Sequence, residues 1–132
     1  MKFFIISIVV LLVSQTFSLT QDPKVIAETF NTRIVNAVHS RDFGQIQNLI
    51  DESYTMNSCG YPIKRDEFIN FLFNYPEKVS QSKVLREQVV DGNIVYEGEL
   101  KKSDEETIYS RYVLGLRNSE YVLLKITETG CL

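Results

Sequence analysis

Residues 36–56 read NAVHSRDFGQIQNLIDESYTM. The first of these close an apolar stripe at helical spacing, made of Ile26, Phe30, Ile34, Ala37 and Val38, which stops near Ser40. Asp42 then offers an N-cap to a second, short helix, in which Phe43, Ile46, Leu49 and Ile50 share one side. Tyr54, Thr55 and Met56 read as a short strand. Helix, tight turn, helix and strand follow one another with almost no spacer, so this stretch decides how the first half of the chain folds.

Upstream, Asp22 is a good cap for the long helix and Pro23 suits its first position. Downstream, NSCGYP marks a loop, and IKRDEFINFLFNY reads as a third helix. Asp66 and Glu67 fall in its first turn, where the helix dipole favours negative charge. Its buried face is expected to hold Phe68, Ile69, Leu72 and Tyr75, and Pro76 ends it. From there the apolar period changes to two. KVLREQVV and IVYEGELK flank Asp91-Gly92-Asn93, a strong hairpin signal. TIYSRYVLGLRN and YVLLKITET complete four strands, antiparallel by hairpin logic. There is no internal repeat, low-complexity segment or linker.

The chain opens MKFFIISIVVLLVSQTFSLTQDP. A positive Lys2, an apolar run from Phe3 to Val13 and small residues at Thr16 and Ser18 have the layout of a secretory signal peptide. The run is too short for a membrane anchor, which needs about 20 apolar residues. The expected division is a leader at 1–18 and a single domain at 19–132, secreted and extracellular, with no membrane association after cleavage. With Lys2 removed, one fewer than the chain's 14 basic residues faces its 17 acidic ones, a net charge of −4. That balance argues against nucleic acid and anionic membranes as partners.

The 2 cysteines are Cys59 and Cys131, the latter next to the chain's end. Secretion and even parity point to a Cys59–Cys131 disulfide that pins a terminal strand otherwise free to fray. An intermolecular bridge or a free thiol are the alternatives. Two cysteines and the lone His39 make no recognisable metal site.

The element order resembles the NTF2-like superfamily, and particular stretches carry the match. NAVHSRDFGQIQNLIDESYTM resembles that fold's passage from helix one to its first strand, GYPIKRDEFINFL its loop into helix three, and YVLLKITET its closing strand. More narrowly, the chain resembles the small secreted NTF2-like proteins of nematodes. The resemblance implies an α+β cone of order ααβαββββ, with three N-terminal helices on a curved antiparallel sheet that encloses a pocket. It implies no single function, because the fold hosts both enzymes and binding modules.

Strand alternation supplies the pocket candidates. Ile94, Tyr96, Gly98 and Leu100 share one face, and Ile108, Ser110, Tyr112, Leu114 and Leu116 another; these are the more apolar faces and are expected to point inward. Tyr54, Tyr96 and Tyr112 are therefore the candidate ligand-binding residues, with an amphipathic core role as the alternative. Glu97, Glu99 and Arg111 fall outside. Ketosteroid-isomerase relatives need an inward carboxylate base and a tyrosine; no carboxylate here stands out as inward, and no position matches that catalytic set. His39, at the end of the long helix, reads as a residue facing helix carbonyls. Phosphate loops, HExxH and Gly-x-Ser-x-Gly motifs are absent, as is any Asn-x-Ser/Thr sequon.

The sequence thus favours a non-enzymatic binding module, without cofactor or metal, for a small apolar ligand or a protein partner. An isomerase, cyclase or dehydratase using the same pocket is one alternative. A dimerisation module is the other; it needs an apolar patch on the outer sheet face, for which Val89, Val95, Val113 and Val122 are candidates.

Overall fold

The computed structural model describes residues 22–101 and 107–129. The leader at 1–18, the acidic turn at 104–106 and Cys131 lie outside the described residues.

Helix α1 (Pro23–His39) starts where the sequence places it, with the Asp22 carboxylate accepting from Lys24 N at 2.9 Å. A tight turn with Arg41 in the left-handed region leads to α2 (Phe43–Leu49), capped by Asp42, which accepts from Gln45 N at 3.1 Å. Strand β1 (Ile50–Ser58) is longer than the three residues read from the sequence. GYP does not remain loop: Tyr61–Ile63 forms a short strand, β2, paired antiparallel with the end of β1. Helix α3 (Arg65–Asn74) follows, and a 3₁₀ turn (Pro76–Lys78) continues from it.

The second half is β3 (Lys83–Val90), β4 (Asn93–Lys101), β5 (Thr107–Arg117) and β6 (Glu120–Thr129). The β3–β4 turn is Asp91-Gly92, both at positive φ, between the paired Val90 and Asn93. Asn118 and Ser119 make a turn of the same hand between the paired Arg117 and Glu120. Such turns match the twist of the strands they join.

All six strands form one sheet in the order β2-β1-β6-β5-β4-β3. Every pair is antiparallel except β1 and β6, which run parallel. The expected antiparallel sheet is therefore mixed, because the closing strand inserts between β5 and β1 in the direction of β1. The three helices pack on one face of this curved sheet, an α+β cone. Ile26, Ala27, Phe30 and Val38 of α1, Ile46 and Leu49 of α2, and Ile69 and Leu72 of α3 meet Tyr96, Leu114, Leu123 and Ile126 of the sheet in one core.

One side chain departs from the reading. Tyr75 is 46 % exposed, since α3 ends at Asn74 and the residue caps it instead of facing inward. Arg65 donates from Nε to Asp51 O at 3.0 Å and from Nη2 to Gln47 O and Ile50 O at 3.0 and 2.9 Å. It thereby satisfies carbonyls left open where α2 gives way to β1.

Candidate functional site

Between the inner sheet face and helices α1 and α3 lies a cavity of about 160 Å³. Its walls are mainly apolar: Phe30 and Ile34 from α1, Phe68 and Leu72 from α3, and Met56, Leu123 and Ile126 from the sheet. Phe71, Lys78 and Ser80, all exposed, also border it and mark the side facing solvent. A cavity of ~150 Å³ with apolar walls accommodates one benzene ring, which sets the scale of what this space holds. A larger groove, about 570 Å³, runs between α1 and β3, but it is open and walled by solvated side chains such as Lys24, Glu28, Arg33 and Lys83.

The polar groups along the cavity are ordered by the sheet register. Tyr96 pairs with Tyr112, and Tyr112 with Ile126. The two rings stack with centroids 4.8 Å apart. Tyr96 is 1 % exposed, and its hydroxyl donates to Asn31 Oδ1 at 2.7 Å. Asn31 in turn donates to the Ser82 backbone carbonyl at 3.4 Å and to Ser82 Oγ at 3.3 Å. Asn31 sits in the apolar stripe of α1 for this reason: a buried phenol and a buried amide satisfy each other. Tyr96→Phe leaves the Asn31 oxygen without its donor, and the expected loss of stability is about 1–3 kcal/mol by denaturant unfolding.

The next row of the sheet runs Ser58, Glu128, Ser110, Gly98. Gly98 is small for a local reason. A Cβ there would stand 2.9 Å from Tyr112 Cε2 and 3.0 Å from Ser82 Oγ. Gly98→Ala is therefore expected to push the Tyr112 ring into the cavity, at a cost of about 1–3 kcal/mol. A crystal structure of the variant would show the displaced ring, and thermal unfolding the cost.

Glu128 lines the cavity, half-buried, with Oε2 accepting from Ser58 Oγ at 2.7 Å. This is the inward carboxylate that strand counting on the sequence missed. Parity on β6 breaks between Leu123 and Lys125, where a bulge shifts the register against β5. Counting in twos from Leu123 sends Lys125 and Thr127 inward; the bulge sends Ile126 and Glu128 inward instead. A run such as LLKITE carries no mark of a bulge, so the signal was weak.

Of the three tyrosine candidates, Tyr96 and Tyr112 line the cavity, whereas Tyr54 lies beside it, stacked on Phe68 at 5.1 Å. The Tyr54 hydroxyl is buried with no hydrogen-bond partner among the described residues. Burial, then the neighbouring Tyr112 and the Glu128 charge, holds the Tyr54 phenol protonated far above its usual range. Burial and then Tyr112 do the same for Tyr96. Burial also raises Tyr112, against the pull of hydrogen bonds with Ser110 and Ser82, with Glu128 adding to the rise. All three are donors and not phenolates at neutral pH.

His39 is exposed at the C-terminus of α1, with Nε2 2.7 Å from the carbonyl of Val79, a lining residue, while His39 itself does not line the cavity. Glu97 and Arg111 face outward, as the alternation indicated. Cys59 occupies the turn between β1 and β2 at φ +55°. Among the described residues no group of three or more acidic, His or Cys side chains could hold a metal, and no helix is long and apolar enough to cross a membrane.

This architecture, a cone of three helices over a bent mixed sheet with a cavity inside, matches the family model of the NTF2-like domain over residues 24–132. The chain belongs to that family. Solved structures agree on the fold. An NTF2-like protein from Cytophaga hutchinsonii superposes with a TM-score of 0.66 at 9% identity, over 84% of this chain and 100% of its own. An NTF-2 like protein of unknown function from Silicibacter pomeroyi gives 0.62 at 10% identity, over 80% of this chain and 92% of its own. Another of unknown function, from Shewanella oneidensis, gives 0.61 at 16% identity, over 83% and 100%. At these identities the likeness is one of fold. No curated protein matches the chain.

Proposed function

We propose that this chain is a secreted NTF2-like binding module that holds a small, largely apolar ligand inside the cone. The observation that carries the reading is the cavity itself: about 160 Å³, walled mainly by aliphatic and aromatic side chains, with polar groups confined to a few positions. Tyr96 and Tyr112 form its aromatic wall, and Tyr54 backs it. Secretion is supported by the leader-like residues 1–18 and by the absence of any free cysteine among the described residues. The narrower kinship to small secreted nematode proteins of this fold belongs to the same reading and rests on the stretches quoted above.

The test is methyl NMR with p-xylene as the probe. Methyl signals of Ile34, Leu123 and Ile126 should shift on titration while those of the exposed Val89 and Leu116 stay put. Shifts absent from the cavity methyls would remove the reading.

One observation favours a second reading. Glu128 supplies the inward carboxylate that an isomerase of this fold would use as a general base. Its hydrogen-bond partner, though, is a serine, Tyr96 donates to Asn31 and Tyr54 lies beside the cavity, which leaves Tyr112 alone and assembles no donor pair for a developing oxyanion. A dimerisation role through the outer sheet face has less support. Val95 and Val122 are only 6% and 7% exposed within the chain itself, Val113 is half-buried, and of these four candidates only Val89, at 57%, offers free apolar area.

A further inference from the structure

The cavity has a polar end, and its chemistry is one-sided. Tyr96 spends its hydroxyl proton on Asn31, and Asn31 spends its amide on Ser82. The Tyr112 hydroxyl, on the cavity lining, stands near the Ser110 and Ser82 hydroxyls. The charged acceptor open to a guest is the Glu128 carboxylate, with one oxygen taken by Ser58 and the other without a partner among the described residues. An ionised carboxylate only accepts hydrogen bonds, at about four lone-pair positions. The Tyr54 hydroxyl, buried and unpartnered among the described residues, lies beside the cavity and not on its lining. Lys78, the cation on the cavity wall, is placed over the Tyr75 ring, with Nζ 4.9 Å from its centroid.

We infer that the cavity selects a one-ring or short-chain guest bearing a neutral hydroxyl head, a phenol or an alcohol, that donates to Glu128, and that it turns carboxylic acids away. This rests on the binding-module reading above. Size follows from the volume: a space of about 160 Å³ holds a single ring and excludes steroid-sized bodies. Polarity follows from Glu128. A hydroxyl donates to the carboxylate and still has lone pairs to accept from a donor on the lining such as the Tyr112 hydroxyl. A carboxylate guest would bring like charge against Glu128 in a mainly apolar enclosure, where repulsion is poorly screened. A guest without polar atoms would leave the free carboxylate oxygen desolvated and unpaired.

The experiment is isothermal titration of the mature protein and its Glu128→Gln variant at pH 7 with three probes of one shape: p-cresol, p-xylene and p-toluate. Both proteins should bind p-xylene, the variant at least as tightly because no carboxylate is desolvated, which shows that the variant is folded and the cavity intact. The ratio of p-cresol to p-xylene affinity should fall about fivefold to tenfold in the variant, because a neutral amide oxygen accepts more weakly than a carboxylate. Wild type should not bind p-toluate, whereas the variant, relieved of the like charge, should. An unchanged ratio, or p-toluate bound by wild type, would overturn the inference while p-xylene binding kept the cavity reading standing. Failure of wild type to bind any of the three would remove the cavity reading and this inference together.

Discussion

Replacing Cys131 with serine should lower the unfolding free energy by up to about 4 kcal/mol, the figure for a bridge closing a long loop. The expectation rests on a Cys59–Cys131 disulfide, which the strand register supports. β6 runs parallel to β1 with Ser58 opposite Glu128, and β6 is described to Thr129. Cys59 is the next residue after Ser58. Two residues span at most about 7 Å from Thr129, so the chain can bring residue 131 to Cys59 only by staying at this end of the β1–β6 pair, as a bridge requires. The position matters because the end of β6 carries Glu128 and the adjoining wall of the cavity. Guanidinium unfolding of wild type, of reduced wild type and of the variant should give one high midpoint and two coincident lower ones. Equal midpoints for all three, or a disulfide-linked dimer of wild type, would contradict the bridge.

The second large effect is expected at high pH. Tyr54, Tyr96 and Tyr112 all have their ionisation pushed upward, in each case mainly by burial. In the unfolded chain they titrate near 10. Below that value both states keep these protons and the three groups add no pH dependence. Above it the unfolded chain loses protons that the folded chain retains, so stability falls as pH rises. For each fully buried tyrosine the slope is about 1.4 kcal/mol per pH unit. With Tyr54 and Tyr96 the most deeply buried, and the slope only half its limit at pH 10, the combined loss is about 2 kcal/mol between pH 10 and 11, with a further share from Tyr112. Denaturant midpoints over that interval should fall accordingly, and tyrosinate absorbance from these three groups should appear together with unfolding. Tyr96→Phe should start less stable at neutral pH and show a shallower alkaline slope. A flat profile to pH 11 would mean that the three phenols ionise within the folded chain and are not enclosed.

What could be read from the residues follows from how local each signal is. Asp22 and Asp42 cap their helices, and Asp91-Gly92 turns the hairpin, because a few neighbouring atoms decide those outcomes. Alternation on β4 and β5 correctly turned Tyr96, Ser110, Tyr112 and Leu114 inward and Glu97 and Arg111 outward, since both strands pair with each other in unbroken register. The parallel β1–β6 pair was not legible, because it joins segments from opposite ends of the chain and no turn announces it. No pattern in the sequence announces the role of Arg65, since the three carbonyls it serves are brought to it only by the fold. Glu128 was hidden for a related reason. Its inward aim depends on a bulge that two strands make together, and the reading treated each strand alone. The aromatic wall of the candidate site could thus be named in advance, and the carboxylate that gives it chemical character could not.

The central claim is that the cone holds a small guest. Native mass spectrometry of the protein collected from the medium of secreting eukaryotic cells tests it most directly. The expected spectrum shows a chain beginning at Leu19, two hydrogens lighter than the reduced mass, together with a non-covalent adduct the size of a one-ring or short-chain compound. A bare chain that also takes up neither p-cresol nor p-xylene when they are added would contradict the claim and leave the cavity as packing space only.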